Sequence, residues 1–279
     1  MKKIIGITGG NGMLGSDLKL IAEKNGFKTI LFDLPEFDIT NDTSLQTIVD
    51  KSDIIVNCAA YTAVDKAEEE YDTAFAINAT AVANLAKKVE KANKYLIHIS
   101  TDFVFGDKVD TPLNEKSEPN PLSVYGKTKL EGEKLLAKTK CKHAIIRVEW
   151  TFGKNGNNFI SKIAELATSR DELKVVADQV GSPTPTTEVA KAILSFIKNK
   201  TEGLYHFSSN GYATRFDVAE LIVKYLSLKT TLTPCKTKDF QTPAQRPLNS
   251  KFDCSKIDSV LDFKRVDWKD AIKNYLTKN

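Results

Sequence analysis

Short apolar runs alternate with helix-period segments through the first half of the chain. KKIIGIT, KTILFD, DIIVNCAA, KYLIHIST and HAIIRVEW are apolar almost without interruption. That is the pattern of strands covered on both faces, as in a parallel sheet, and not of half-exposed strands. After Gly15, residues Leu14, Leu18, Ile21 and Ala22 share one helical face, and Asn25-Gly26 supplies a stop. The alanine-rich stretch from Asp72 to Lys91 and the segment from Tyr125 to Lys138 predict two further helices. Strand and helix alternating in this way predict an α/β chain with a doubly wound parallel sheet.

The Pro-rich loop TPLNEKSEPNP separates the fourth strand from the Tyr125 helix. Beyond Trp150 the rhythm loosens. Loops carrying Gly153, Gly156, Gly181, Pro183 and Pro185 surround two expected helices and a strand near GLYHFSS. The expected division is a dinucleotide-binding domain at 1–148 plus about 187–207. A smaller interleaved C-terminal substrate domain takes about 149–186 and 208–279 and closes over the sheet's carboxyl edge.

Composition narrows the class. The 279 residues are 41% hydrophobic and 27% charged, ordinary globular usage that argues against disorder and coiled coil. No apolar run approaches the ~20 residues needed to span a bilayer, and MKKIIGITGG reads as a first strand and not a secretory signal. The net charge of +4 comes from lysines spread along the chain, which suits small anions and gives no support for nucleic-acid binding. Cys58, Cys141, Cys235 and Cys254 lie far apart with no C-x-x-C, so reduced thiols are expected in a cytoplasmic protein. His98, His143 and His206 lack metal-ligand spacing, and His98 reads as a packed strand residue.

Chemistry enters with ITGGNGMLGSDL, which places Gly9, Gly12 and Gly15 after a strand and at the opening of a helix. Glycine permits the tight turn, lets backbone approach a pyrophosphate, and allows close helix–strand packing. The helix N-terminus offers free N–H groups to phosphate. Asn11, Met13 and Leu14 complete this cradle, and the expected architecture is Rossmann-type. The second strand ends in Asp33, suited to the hydroxyls of an adenosine ribose and unfavourable to a 2′-phosphate. No arginine follows in LPEFDIT, so NADH is favoured over NADPH. Asp38 and Ile39 would flank the adenine, and Ala59, Ala60 and Tyr61 would border the middle of the cofactor; ordinary loop packing is the competing reading of each.

The fourth strand ends in Ser100-Thr101-Asp102, and YGKTK puts Tyr125 and Lys129 on one helix face. A nearby ammonium is expected to lower the phenol's pKa. Tyr125 would protonate a carbonyl oxygen as hydride reaches carbon, with Thr101 donating to the same oxygen.

NCAAYTAVDKAEEE, INA, STDFVFG, NPLSVYGKTKLEGE, RVEW, GNNF, DQVGSPT and RPLNS occur in that order over nearly the whole chain. In them the chain resembles the extended short-chain dehydrogenases/reductases, and more narrowly the dTDP-4-dehydrorhamnose reductase family. The resemblance implies reduction of the 4-keto group of dTDP-4-dehydro-L-rhamnose to dTDP-L-rhamnose, a precursor of cell-surface polysaccharide, with NADH or NADPH as hydride donor. It makes Thr101, Tyr125 and Lys129 the catalytic trio, with Lys129 also holding the nicotinamide ribose. Asp102, Phe103, Trp150, Asn157, Asn158, Phe159, Arg246 and Asn249 would border the nucleotide sugar. For Asp102 a structural strand-end bond, for Trp150 core packing and for Arg246 a solvated loop are the competing readings.

Three departures stand out. Glu149 replaces a small polar residue, so its carboxylate must point away or the sugar must differ. Phe103 replaces a tyrosine. Magnesium at a dimer interface in some members would match Asp17 and Glu188 here, with no third acid, leaving metal and the choice of monomer or homodimer open. A dehydratase would need a second acid at Phe103. A 4-epimerase would share the trio, and a regulatory dinucleotide-binding subunit, like the methionine adenosyltransferase β-subunit, would not need it.

Overall fold

The computed structural model describes residues 2–107 and 110–277. Its central sheet is parallel throughout, built from β1 (Ile4–Thr8), β2 (Lys28–Phe32), β3 (Ile54–Asn57), β4 (Tyr95–Thr101), β5 (Lys142–Val148) and the strand Gly203–Phe207. Across the sheet the order is Gly203–Phe207, β5, β4, β3, β1, β2. The chain therefore runs outward from β1 to β2 and then crosses back to β3. That makes the β1/β3 boundary the switch point, beyond whose carboxyl ends ligands bind in such sheets.

Strand apolarity is continuous because each face meets its own helical layer. Ile5, Ile7, Val56 and Ile97 pack with Leu18, Ala22, Val189, Ile193 and Phe196. Alternate positions Ile55, Leu96 and Ile145 pack on the other face with Leu45, Ile48, Val82, Leu85 and Val89. His98 is fully buried in β4, its Nδ1 3.1 Å from the Asn57 amide nitrogen, and burial drives its pKa well below the ordinary value. The four cysteines are free thiols.

The helices follow the expected spans with additions. Met13–Lys24 and Val124–Ala137 lie where the periodicity puts them. Asp42–Lys51 has no counterpart in the pattern reading; it buries only Leu45, Ile48 and Val49, and the Asn41 side chain caps it by accepting from the Thr43 and Ser44 amides. The expected Asp72–Lys91 helix is three segments: Tyr71–Phe75, a π-helical turn at Ala76–Thr80, and Ala81–Lys91.

The second half is more regular than its loosened rhythm suggests. Phe159–Ser169, Thr186–Asn199, Arg215–Tyr225 and Trp268–Thr277 are helices, and Glu172–Val176 pairs in parallel with Thr231–Cys235. A third core joins Phe152, Ile160, Ile163, Val218, Ile222, Trp268 and Ile272. Reciprocal caps start two of these helices, Asn158 with Ser161 and Thr214 with Asp217. Among the described residues no helix is long and apolar enough to cross a membrane.

Candidate active site

The carboxyl ends of β1 to β5 open onto one cleft of about 640 Å³, within the range of small-molecule sites. At its near end the glycine turn passes directly into the Met13–Lys24 helix. A Cβ on Gly15 would stand 2.3 Å from the Gly9 carbonyl oxygen, so only glycine allows the turn to close this tightly. Gly12 caps the helix with no side-chain acceptor, leaving the first amide N–H groups open to an anion. Asp33 at the end of β2 braces this turn: its carboxylate accepts from the Asn11 amide at 2.8 Å and from the Leu34 amide at 2.9 Å. Gly9, Gly12, Met13, Leu14, Gly15, Asp33, Asp38, Ile39, Ala59 and Ala60 line the cleft. Their backbone donors and the braced carboxylate fit the phosphates and ribose of a dinucleotide.

Thr101, Asp102, Phe103, Tyr125, Lys129, Trp150 and Asn157 line the other end. The Val124–Ala137 helix reaches the tip of β4 because Gly126 has no side chain; a Cβ there would lie 2.1 Å from the Phe103 carbonyl oxygen. Tyr125 consequently packs edge-on to Phe103, ring centroids 5.4 Å apart, within hydrogen-bond influence of the Thr101 hydroxyl. Thr101 accepts from the Phe103 amide at 3.2 Å and donates to Asp102 at 3.0 Å. Lys129 donates to the Ile99 carbonyl at 2.7 Å, which fixes its ammonium beneath the cleft.

Burial sets the protonation states. Tyr125 is pushed up to about 12, burial outweighing the Thr101 hydrogen bond. The sequence argument expected a lysine-lowered phenol; here desolvation wins and the side chain is a neutral acid at pH 7, ready to donate. Lys129 is pulled down to about 8, again by burial, against the raising influence of Glu133. Burial also raises Asp102, opposed by hydrogen bonds from Ser250 and Thr101. A substrate oxygen that takes the Thr101 hydrogen takes it from Asp102, whose other oxygen keeps the Ser250 hydroxyl.

The Glu149 question resolves by direction. Its side chain is 0% exposed and turned away from the cleft, Oε2 accepting from the Ser182 amide at 2.8 Å, while Oε1 finds no partner. Burial and the nearby Asp102 charge drive its pKa well above the usual carboxylate range. Trp150 next to it holds a left-handed backbone, φ +45°, a conformation costing about 1–2 kcal/mol for a residue with a Cβ, and so presents its indole to the cleft.

Six expected residues lie off the lining. Asn11 contributes its amide to Asp33 and faces a neighbouring groove. Tyr61 is turned outwards by Asn78, which brackets its peptide with two hydrogen bonds, and its hydroxyl donates to Glu70 at 2.6 Å. Asn158 is a helix cap that also donates to the Gly153 carbonyl. Phe159 lines a side recess of about 140 Å³ shared with Trp150. Arg246 is not in a solvated loop by itself; it forms a forked pair with Asp65 at 2.8 and 3.1 Å. Asn249 donates to the Thr111 carbonyl. Of the magnesium candidates, Asp17 accepts from the Thr186 hydroxyl and Glu188 pairs with Lys191 at 2.6 Å. Among the described residues of the chain no group of three acids, histidines or cysteines is placed to hold a metal ion.

Sequence reasoning missed Ser100, Ile77, Thr186 and Arg215, all on the lining. The cap pair Thr214/Asp217 marks a helix start beside Arg215, but nothing local says that this start faces β4.

A neutral, buried proton donor beside a dinucleotide cleft on a Rossmann-type sheet is the arrangement of nicotinamide-dependent oxidoreductases with the short-chain dehydrogenase/reductase architecture, and this chain is one of them. The family model described as the RmlD substrate binding domain matches residues 1–279, and the chain belongs to that family. It is 37% identical to the dTDP-4-dehydrorhamnose reductase of Aggregatibacter actinomycetemcomitans over 96% of both chains. With the enzyme of the same name from Escherichia coli K12 it shares 37% identity over 97% of this chain and 96% of that one. Among solved structures, the dTDP-4-dehydrorhamnose reductase of Clostridium acetobutylicum superimposes with TM-score 0.94 at 38% identity over 99% of each chain. That of Bacillus anthracis, in complex with NADP, gives 0.95 at 34% over 100% of each. The Thermus thermophilus UDP-glucose 4-epimerase, 16% identical with TM-score 0.84, shares the fold.

Proposed function

We propose that the protein reduces the 4-keto group of dTDP-4-dehydro-L-rhamnose to dTDP-L-rhamnose in the cytoplasm, with residues 149–186 and 208–279 forming the substrate half. The observation that carries this reading is the convergence of Thr101, Tyr125 and Lys129 at one end of a cleft whose other end is the glycine cradle. The bound nicotinamide supplies hydride. Tyr125, held neutral by burial, gives its proton to the C4 oxygen, and Thr101 donates a second hydrogen bond to that oxygen. Lys129, anchored on Ile99, keeps its remaining ammonium hydrogens for the nicotinamide ribose. Phe103 stands where a dehydratase would need a second acid, and its ring is packed against Tyr125.

NADH is the favoured donor. Around Asp33 the cleft is lined by Phe32, Leu34, Phe37, Asp38 and Ile39, so a 2′-phosphate there would meet two carboxylates, while Lys51 lines the neighbouring groove that Asp33 shares. The test is the decay of nicotinamide absorbance with dTDP-4-dehydro-L-rhamnose generated in place, run with NADH and NADPH in parallel. Tyr125→Phe should lower turnover by about 10²–10⁴-fold and leave cofactor affinity within about twofold. Oxidation that is absent with both cofactors, or independent of Tyr125, overturns the reading.

A further inference from the structure

Arg215 opens the helix Arg215–Tyr225 and lines the cleft beside Asp102 and Trp150. Its guanidinium carbon sits 3.5 Å from the Trp150 ring centroid and 4.8 Å from that of Phe159. Two aromatic faces therefore fix the plane of the fork without using its N–H groups. Among the described residues no hydrogen bond or ion pair reaches those donors. Arg147, Arg246 and Arg265, by contrast, are each locked in a fork with a carboxylate.

The two acids closest in electrostatic influence are committed elsewhere. Asp102 receives the Thr101 and Ser250 hydroxyls, and Glu149 receives the Ser182 amide. Burial pulls the Arg215 guanidinium down to about 10 against the opposing influence of Asp102, and neither acid bonds it. A planar cation has thus been oriented, stacked and left with its hydrogens unspent, one wall away from the Thr101 hydroxyl.

Position selects the ligand chemistry. Arg215 lies at the Thr101–Trp150 end of the cleft, opposite the end lined by Asp33, Asp38 and Ile39. We propose that Arg215 is a substrate-recognising residue whose guanidinium donates to hydroxyl oxygens on adjacent ring carbons of the hexose in the nucleotide sugar, fixing the sugar's face towards Tyr125. A fork matches two neighbouring sugar oxygens as it matches a carboxylate. The assignment rests on the nucleotide-sugar reading of the cleft and adds to it the residue that tells sugar from bare nucleotide.

The test is equilibrium binding of dTDP-L-rhamnose and of dTDP alone to the protein saturated with oxidised cofactor, for wild type, Arg215→Met and Arg215→Lys. Hydrogen bonds from a charged donor are worth enough to predict a loss of about 10- to 100-fold for dTDP-L-rhamnose in R215M, with dTDP changed less than about twofold. R215K, which keeps charge without the fork, should fall between, and it carries the test if R215M fails to fold. Equal losses for both ligands would make Arg215 a diphosphate contact, and no loss would make it a packing residue for Trp150; either overturns the proposal. A wild type that binds both ligands equally would instead overturn the nucleotide-sugar reading, and this assignment with it.

Discussion

Replacing Glu149 by glutamine should stabilise the protein in a way that grows with pH. The carboxyl is fully buried, with one oxygen on the Ser182 amide and the other without a partner. Burial and the Asp102 charge hold its pKa well above the ordinary value, so the native chain keeps a proton that the unfolded chain releases near pH 4.3. Where the native state binds the extra proton, stability falls as pH rises, by about 1.4 kcal/mol per unit. For as long as the buried carboxyl keeps that proton, each further unit of pH takes the same amount from wild type. Glutamine has the same shape and no titration, and its two amide hydrogens against the acid's one add a term that does not change with pH. Urea unfolding of both proteins at pH 5, 6 and 7, with matched slopes, should show the advantage of E149Q widening by about 1.4 kcal/mol per unit. An advantage that stays constant across this window would show Glu149 ionised in the fold, compensated by Arg215, and the reasoning would be wrong.

Three further outcomes are expected. Because burial holds Lys129 at about 8, kcat/KM should decline as pH rises through 8 and the ammonium is lost. Over about 8 to 10.5 the unfolded chain still binds that proton, so this group's contribution to stability rises while activity falls; a rate profile flat to pH 10 would count against Lys129. Asp33→Ala should weaken NADH about tenfold in a fluorescence titration and NADPH less, since the carboxylate repels a 2′-phosphate. Equal losses would leave Asp33 only its bracing of Asn11. Arg147→Met strands Glu133, buried and bonded at 2.6 and 2.9 Å, and should cost about 3–5 kcal/mol in denaturant unfolding, most of it recovered by adding Glu133→Leu; a single variant within 1 kcal/mol of wild type would refute the pairing cost.

The sheet was legible because a strand covered on both faces is apolar along its middle, as Ile54–Val56 of β3 and Ala144–Ile146 of β5 are. The glycine cradle, Asp33 and the Tyr125/Lys129 spacing were legible for a related reason: each is a local pattern whose chemistry depends on its own few residues. Asp42–Lys51 was not, because three apolar positions in DTSLQTIVDK are too few for a period. Long-range partners were also invisible. Arg246 reads as a cation available for phosphate until the fold brings Asp65 against it from the other end of the chain. Tyr61 reads as a cleft residue until Asn78 claims its peptide. Arg215 carries no local signal of its place at all. For the phenol of Tyr125, the nearby charges could be counted from spacing, whereas the depth of burial that opposes them could not.

The π-helical turn at Ala76–Thr80 acts as a change of rotational phase. One extra residue in a turn advances every later side chain by about 100° around the axis. Within the turn, Ile77 reaches the cleft while packing against the same core that Val82, Leu85 and Val89 build beyond it. Asn78 sits at the widened turn and bonds both the Tyr61 peptide and the Thr128 hydroxyl, one residue before Lys129. The helix that builds the hydrophobic underside is thereby geared to the helix that carries the proton donor, and neither can rotate without the other.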